Sequence, residues 1–177
     1  MLVTLVTPYA DTSAADLGLT LTAPELPALH VVDLPLPGPG DEEGARLRLR
    51  LLGASHQVVL DGPAGELIET VACLPGRPAD LPPVVYDAAT GYRFAARVLR
   101  LAPAAFSDRI AALRRDLDGD PNALVGVFPG GPDAVTALRA RTSGAGPDGT
   151  QRVGWHTWHA YPQTGELVET ETVVTVR

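Results

Sequence analysis

The sequence predicts an α+β protein built of antiparallel sheets with a few helices. Three observations predict it. The 177 residues contain 18 Gly and 17 Pro, which cut the chain into short pieces and favour strands and turns over long helices. Several of those pieces alternate apolar and polar residues at a period of two. And one hairpin pattern occurs twice. His56 precedes Gly65-Glu66-Leu67-Ile68-Glu69-Thr70, and His156 precedes Gly165-Glu166-Leu167-Val168-Glu169-Thr170, so the copies lie 100 residues apart. This echo has two readings. One is a duplicated half-domain, giving pseudo-duplicated halves over 1–80 and 90–177. The other is two hairpins that share turn chemistry, with Gly at the turn and alternation after it. In either case 1–177 reads as one domain.

Taken in order, Met1 to Val6 is a short β-rich run. Asp11 or Thr12 can cap a helix over 13–19, with Leu17 as its inward contact. His30 to Leu34 is an apolar run, and 35–44 is a Pro/Gly loop. Arg46 to Leu52 alternates Arg with Leu, so one face is buried and the other wet. His56 to Leu60 and Glu66 to Leu74 continue the meander around an Asp-Gly-Pro turn. The Pro-rich stretch 75–83 links the halves. Tyr92 to Leu101 reads as a strand, with a helix as the alternative. Pro103 opens a helix in which Phe106, Ile110, Leu113 and Leu117 share a face, and Gly119 ends it. Ala123 to Phe128 is a buried strand. Gly130-Gly131-Pro132 then leads into a second helix carrying Val135 and Leu138. After a Gly-rich loop at 142–151, Val153 to Tyr161 and Glu166 to Val176 close the chain as a hairpin.

The charge balance narrows the partners. With 14 basic against 21 acidic residues the net charge is -7, which repels nucleic acid and anionic membrane. Arg46, Arg48 and Arg50 share one strand face, which reads as a solvated face. Every basic residue is Arg, so no lysine Schiff base is available. Cys73 is alone, which excludes an internal disulfide and a Cys-cluster zinc site and suits a reducing cytoplasm. The N-terminal run has no basic leader, and no apolar stretch approaches the ~18 residues a membrane span needs. The expectation is a cytoplasmic protein with no membrane or nucleic-acid partner, no cofactor and no metal.

Chemistry-bearing residues concentrate in Trp155-His156-Thr157-Trp158-His159-Ala160-Tyr161. On a strand, Trp155, Thr157, His159 and Tyr161 share one face, and His156 and Trp158 share the other. Two His on opposite faces cannot ligate one metal. Trp155, His156, His159, Tyr161 and Glu169 are the candidate ligand-binding residues, since aromatic walls with a few polar groups compose many small-molecule sites. Packing of those aromatics in a sheet core is the competing structural account. Ser55, His56 and Cys73 are the catalytic candidates, although Ser55 and His56 point to opposite faces of a strand.

The segments LRLLGASHQVVL (within 47–60), ETVACLPG (69–76), YRFAARV (92–98), ALVGVFPG (123–130) and WHTWHAYPQTGELVET (155–170) resemble an actinobacterial family of unknown function, DUF2617, over essentially the whole chain. That resemblance implies a bacterial cytoplasmic protein and supplies no activity. A remote second similarity is to the processing hairpin of bacterial S-adenosylmethionine decarboxylase, carried by Ala54-Ser55-His56, Pro63, Gly65 and Cys73 and by His159-Ala160-Tyr161-Pro162-Gln163. It implies Ser55 as a pyruvoyl precursor and Cys73 as a proton donor. Two departures count against it: Ala54 stands where that family has Glu, and Leu60 where it has the processing His. The functional expectation is therefore a small-ligand or partner-binding domain around the 155–170 hairpin, with or without self-association. The alternative is a pyruvoyl-type relative acting on an S-adenosyl or polyamine-related metabolite. Whether the chain is an enzyme stays open.

Overall fold

A computed structural model describes residues 2–6, 30–35, 46–52, 55–62, 65–72, 84–88, 91–127, 133–143 and 146–176. The expected helix over 13–19, the link at 75–83 and Cys73 lie outside the described residues. The first sheet contains β1 (Leu2–Val6), β2 (His30–Pro35), β3 (Arg46–Leu52), β4 (Ser55–Gly62) and β5 (Gly65–Ala72), in the order β1-β5-β4-β3-β2. The β1–β5 pair is parallel and the other pairs in this sheet are antiparallel.

The second sheet contains β6 (Val84–Asp87), β7 (Tyr92–Arg100), β8 (Ala123–Val127), β9 (Val135–Thr142), β10 (Gln151–Tyr161) and β11 (Glu166–Val176). Its order is β6-β7-β11-β10-β9-β8, antiparallel throughout. Between β7 and β8 runs α1 (Pro103–Leu117). The sheet-rich α+β expectation stands, with one helix among the described residues rather than several.

Three layers result. Leu47, Val58, Leu60, Leu67 and Val71 of the first sheet share a core with Phe94, Leu138, Val153, Trp155 and Val168 of the second. The opposite face of the second sheet presents Val135, Ala137, Trp158, Ala160 and Leu167 to Phe106, Ile110, Leu113 and Leu117 of α1. The alternation read in 155–161 therefore divides β10 between the two layers. Pro at the start of α1 costs no hydrogen bond, Arg114 and Arg115 sit where the helix dipole favours cations, and Gly119 reverses the chain at φ +72°.

The segment carrying Val135 and Leu138 is a strand, not the expected second helix. It pairs with β8 on one side and β10 on the other. Residues 134–138 and 140 are all buried. Because both faces are covered, period-two alternation is erased and the apolar spacing mimics a helix. The β-branched Val135 and Thr136 favour the strand. The short strand β6 is a further element beyond the sequence expectation.

The two echoing hairpins share one register. His56 pairs with Val71 and Asp61 with Glu66 in β4–β5, while His156 pairs with Glu171 and Tyr161 with Glu166 in β10–β11. Their equivalent faces nonetheless look into different layers. His56 and Glu69 point between the sheets, and His156 and Glu169 point to the helix side.

Candidate functional site

Glu69 lies at the centre of the inter-sheet layer. It leaves β5 on the same face as Leu67 and Val71, so burial of that apolar row carries the carboxylate inward. Four donors from surrounding strands meet it. Trp155 Nε1 donates to Oε1 at 2.6 Å, and His56 Nε2 lies 3.4 Å from the same oxygen. Tyr92 Oη and Thr172 Oγ1 donate to Oε2 at 2.6 Å and 2.8 Å. A buried carboxylate is tolerated only when its lone pairs are matched in this way.

The network continues through two imidazoles. His56 Nδ1 is 3.1 Å from His159 Nε2, and Thr136 Oγ1 is 3.5 Å from His159 Nδ1. The His rings stack with centroids 5.3 Å apart. One assignment of donors satisfies every group. His56 Nε2–H donates to Glu69, His159 Nε2–H donates to His56, and the Thr136 hydroxyl donates to His159. Burial, and then the neighbouring His56, hold the His159 imidazole well below its usual pKa. Burial first, then the charge and hydrogen bond of Glu69, push the Tyr92 phenol far up. Glu69 and His56 are 0% exposed and His159 is 1% exposed. The ring nitrogens of this array are taken up by one another, by Glu69 and by Thr136.

On the other face of the second sheet, Glu169 accepts from Arg97 of the adjacent strand and from Arg109 Nη2 of α1 at 3.1 Å, clamping the helix to the sheet. Beyond the helix's C-terminal end the described residues leave the same face uncovered. There a recess of about 250 Å³ is lined by Arg139, Arg141, Arg152, Gly154, His156 and Glu171. Gly154 makes the space, since any other residue would project a side chain from its floor. The His156 ring tilts over Trp158 with centroids 4.5 Å apart. Burial lowers the His156 pKa; Glu171 and Glu169 oppose that shift, and Arg139 and Arg141 add to it.

The structure therefore divides the sequence candidates. Trp155 donates to Glu69 between the sheets, His159 reaches that carboxylate only through His56, and Tyr161 packs at the margin of the same core. His156 borders the open recess, and Glu169 lies beneath α1. His56, His156 and His159 do not converge on one hollow. Ser55 begins β4 beside Ala72, and its side chain, like Cys73, is outside the described residues. No group of three or more His, Cys, Asp or Glu suited to a metal occurs among the described residues. Sequence reasoning missed Arg139, Arg141, Arg152, Tyr92, Thr136 and Thr172. Reading β9 as a strand would have shown Arg139 and Arg141 on one face.

Among the described residues, two sheets, a buried polar bridge between them and an arginine-lined recess are what these elements define. The chain belongs to the family described as a protein of unknown function, DUF2617, whose model matches residues 14–175. It is 37% identical over 163 residues to an uncharacterised protein of Mycobacterium bovis, covering 90% of each chain. An uncharacterised protein of Mycobacterium tuberculosis matches to the same extent. No solved structure matches at a significant level. Among the described residues no helix is long and apolar enough to cross a membrane.

Proposed function

We propose that the chain works as a single small-ligand-binding domain, with the ligand seated in the outer recess of the second sheet beside His156. The observation that carries this reading is the recess itself, about 250 Å³ and floored by Gly154. That volume lies just below the usual range for small-molecule sites, which suits a compact ligand. Its rim supplies several polar groups around a glycine floor, and the paired strands β9, β10 and β11 hold them in place. The sealed His56–His159–Glu69 array supports the same reading from the other side, because its polar groups spend their hydrogen bonds on one another. The identical register of the two hairpins supports origin from a duplicated half, while their opposite use of equivalent faces weighs against pseudo-two-fold packing. Neither the structure nor the relatives favour the pyruvoyl alternative.

Ligand-observed NMR of a small-fragment mixture tests this proposal. The native chain is expected to give hits that Gly154→Val abolishes by filling the floor. A Cβ at 154 would lie 3.1 Å from the Thr172 carbonyl oxygen, so this variant strains the backbone slightly. Arg141→Trp, which crowds the recess from an exposed position, is the companion variant. Hits that persist in both variants would place the binding elsewhere and overturn the reading.

A further inference from the structure

We propose that the recess takes a small phosphate- or carboxylate-bearing ligand, gripped by Arg141 and Arg152 and backed by Arg139. This rests on the ligand-binding reading above and names the chemistry of that site. The chain carries a net charge of -7, yet three of its arginines line this one recess. Strand geometry puts them there. Arg139 and Arg141 alternate on β9, and the register sets Arg139 beside His156 and Arg141 beside Gly154. Arg152 lies two residues before Gly154 on β10 and so shares that face.

The three guanidinium groups differ in their surroundings. Arg139 is tied to two carboxylates and an aromatic ring. Its Nη1 is 3.0 Å from Asp116 and 3.9 Å from Asp120, and its guanidinium carbon is 5.8 Å from the centre of the Trp158 ring. Its Nε is buried and finds no acceptor among the described residues. A buried donor without an acceptor costs stability, so Arg139 backs the recess rather than reaching into it. Arg141 and Arg152 are exposed, and among the described residues no carboxylate forms an ion pair with either. Guanidinium forks match the paired oxygens of carboxylate and phosphate. Glu171, opposite His156, is the one carboxylate on the recess wall among the described residues. It disfavours a bulky polyanion and offers an acceptor to a hydroxyl or ammonium group on the same ligand.

The test is a ¹H–¹⁵N NMR titration of the full chain at low salt, with inorganic phosphate and succinate added in separate arms. At least one anion is expected to shift the backbone amides of Gly154 and His156 saturably, and the arm that saturates identifies the headgroup. Arg141→Gln/Arg152→Gln is expected to weaken that binding at least tenfold. Both positions are exposed, so the fold persists. Arg46→Gln, an exposed arginine on the other sheet, is expected to leave the affinity unchanged. Unshifted amides in both arms, or equal affinity in the double variant, would overturn the anion assignment. Benzyl alcohol as a neutral probe separates the two readings. If it shifts Gly154 while the anions do not, the recess binds ligands but not anions. If no probe shifts Gly154, both readings fall.

Discussion

His159 shows at single-residue scale how position overrides chemical type. It stands three residues from His156 in the same strand, yet one ring is sealed between sheets and the other borders an open recess. Burial beside His56 leaves the His159 pKa well below its ordinary value. In the unfolded chain the imidazole titrates at ~6.5. The folded state therefore binds fewer protons than the unfolded state once the pH drops below that value. The resulting stability is fully present above ~6.5 and is lost as the pH falls toward the folded pKa. Urea denaturation from pH 7 to pH 5 is expected to show the native chain losing up to about 1.4 kcal/mol per pH unit more than His159→Gln. Equal slopes in the two proteins would contradict this account.

Among the elements, the β10–β11 hairpin depends on one turn residue in two ways. Gly165 has φ +68°, and its carbonyl oxygen accepts a hydrogen bond from Leu101 N at 2.9 Å. A Cβ there would stand 2.6 Å from the Leu101 carbonyl oxygen, whereas a Cβ at Gly119, where φ is +72°, would meet nothing within 4 Å. Gly119→Ala is expected to cost about 1 kcal/mol, the left-handed penalty alone. Gly165→Ala adds a backbone clash and is expected to cost at least about 2 kcal/mol, read from chemical denaturation midpoints. These elements were legible in the sequence to different degrees. The Arg/Leu alternation of 46–52, the helical spacing from Phe106 to Leu117 and the closing hairpin each announce themselves within a few residues. β9 did not, because covering both faces removes the alternation that marks a strand. The recess stayed hidden for the same reason, since Arg139 and Arg141 share its wall only on an extended backbone. Tyr92, Thr136 and Thr172 were missed because Glu69 and the His pair gather them through tertiary packing, which no local pattern encodes.

Across the whole molecule, the Glu69 carboxylate joins the two sheets by accepting from β4, β7, β10 and β11. Glu69→Gln keeps the shape but turns an acceptor into a donor facing other donors. It is expected to destabilise the protein by about 3 kcal/mol, as breaking a buried charged network does. Trp155 faces this network and Trp158 faces α1, so single-tryptophan variants report each layer separately. Both fluorophores are expected to unfold at the same, lowered urea concentration in Glu69→Gln. A shift confined to Trp155 would mean that the layers unfold independently. The twin return strands carry a wider lesson. Gly-Glu-Leu-Ile-Glu-Thr and Gly-Glu-Leu-Val-Glu-Thr are nearly one word, yet one glutamate gathers hydroxyls and aromatic rings while the other anchors guanidinium cations under a helix. Exchanging the two hexapeptides would therefore leave each destination's behaviour in place, because the meaning of the word is supplied by its neighbours.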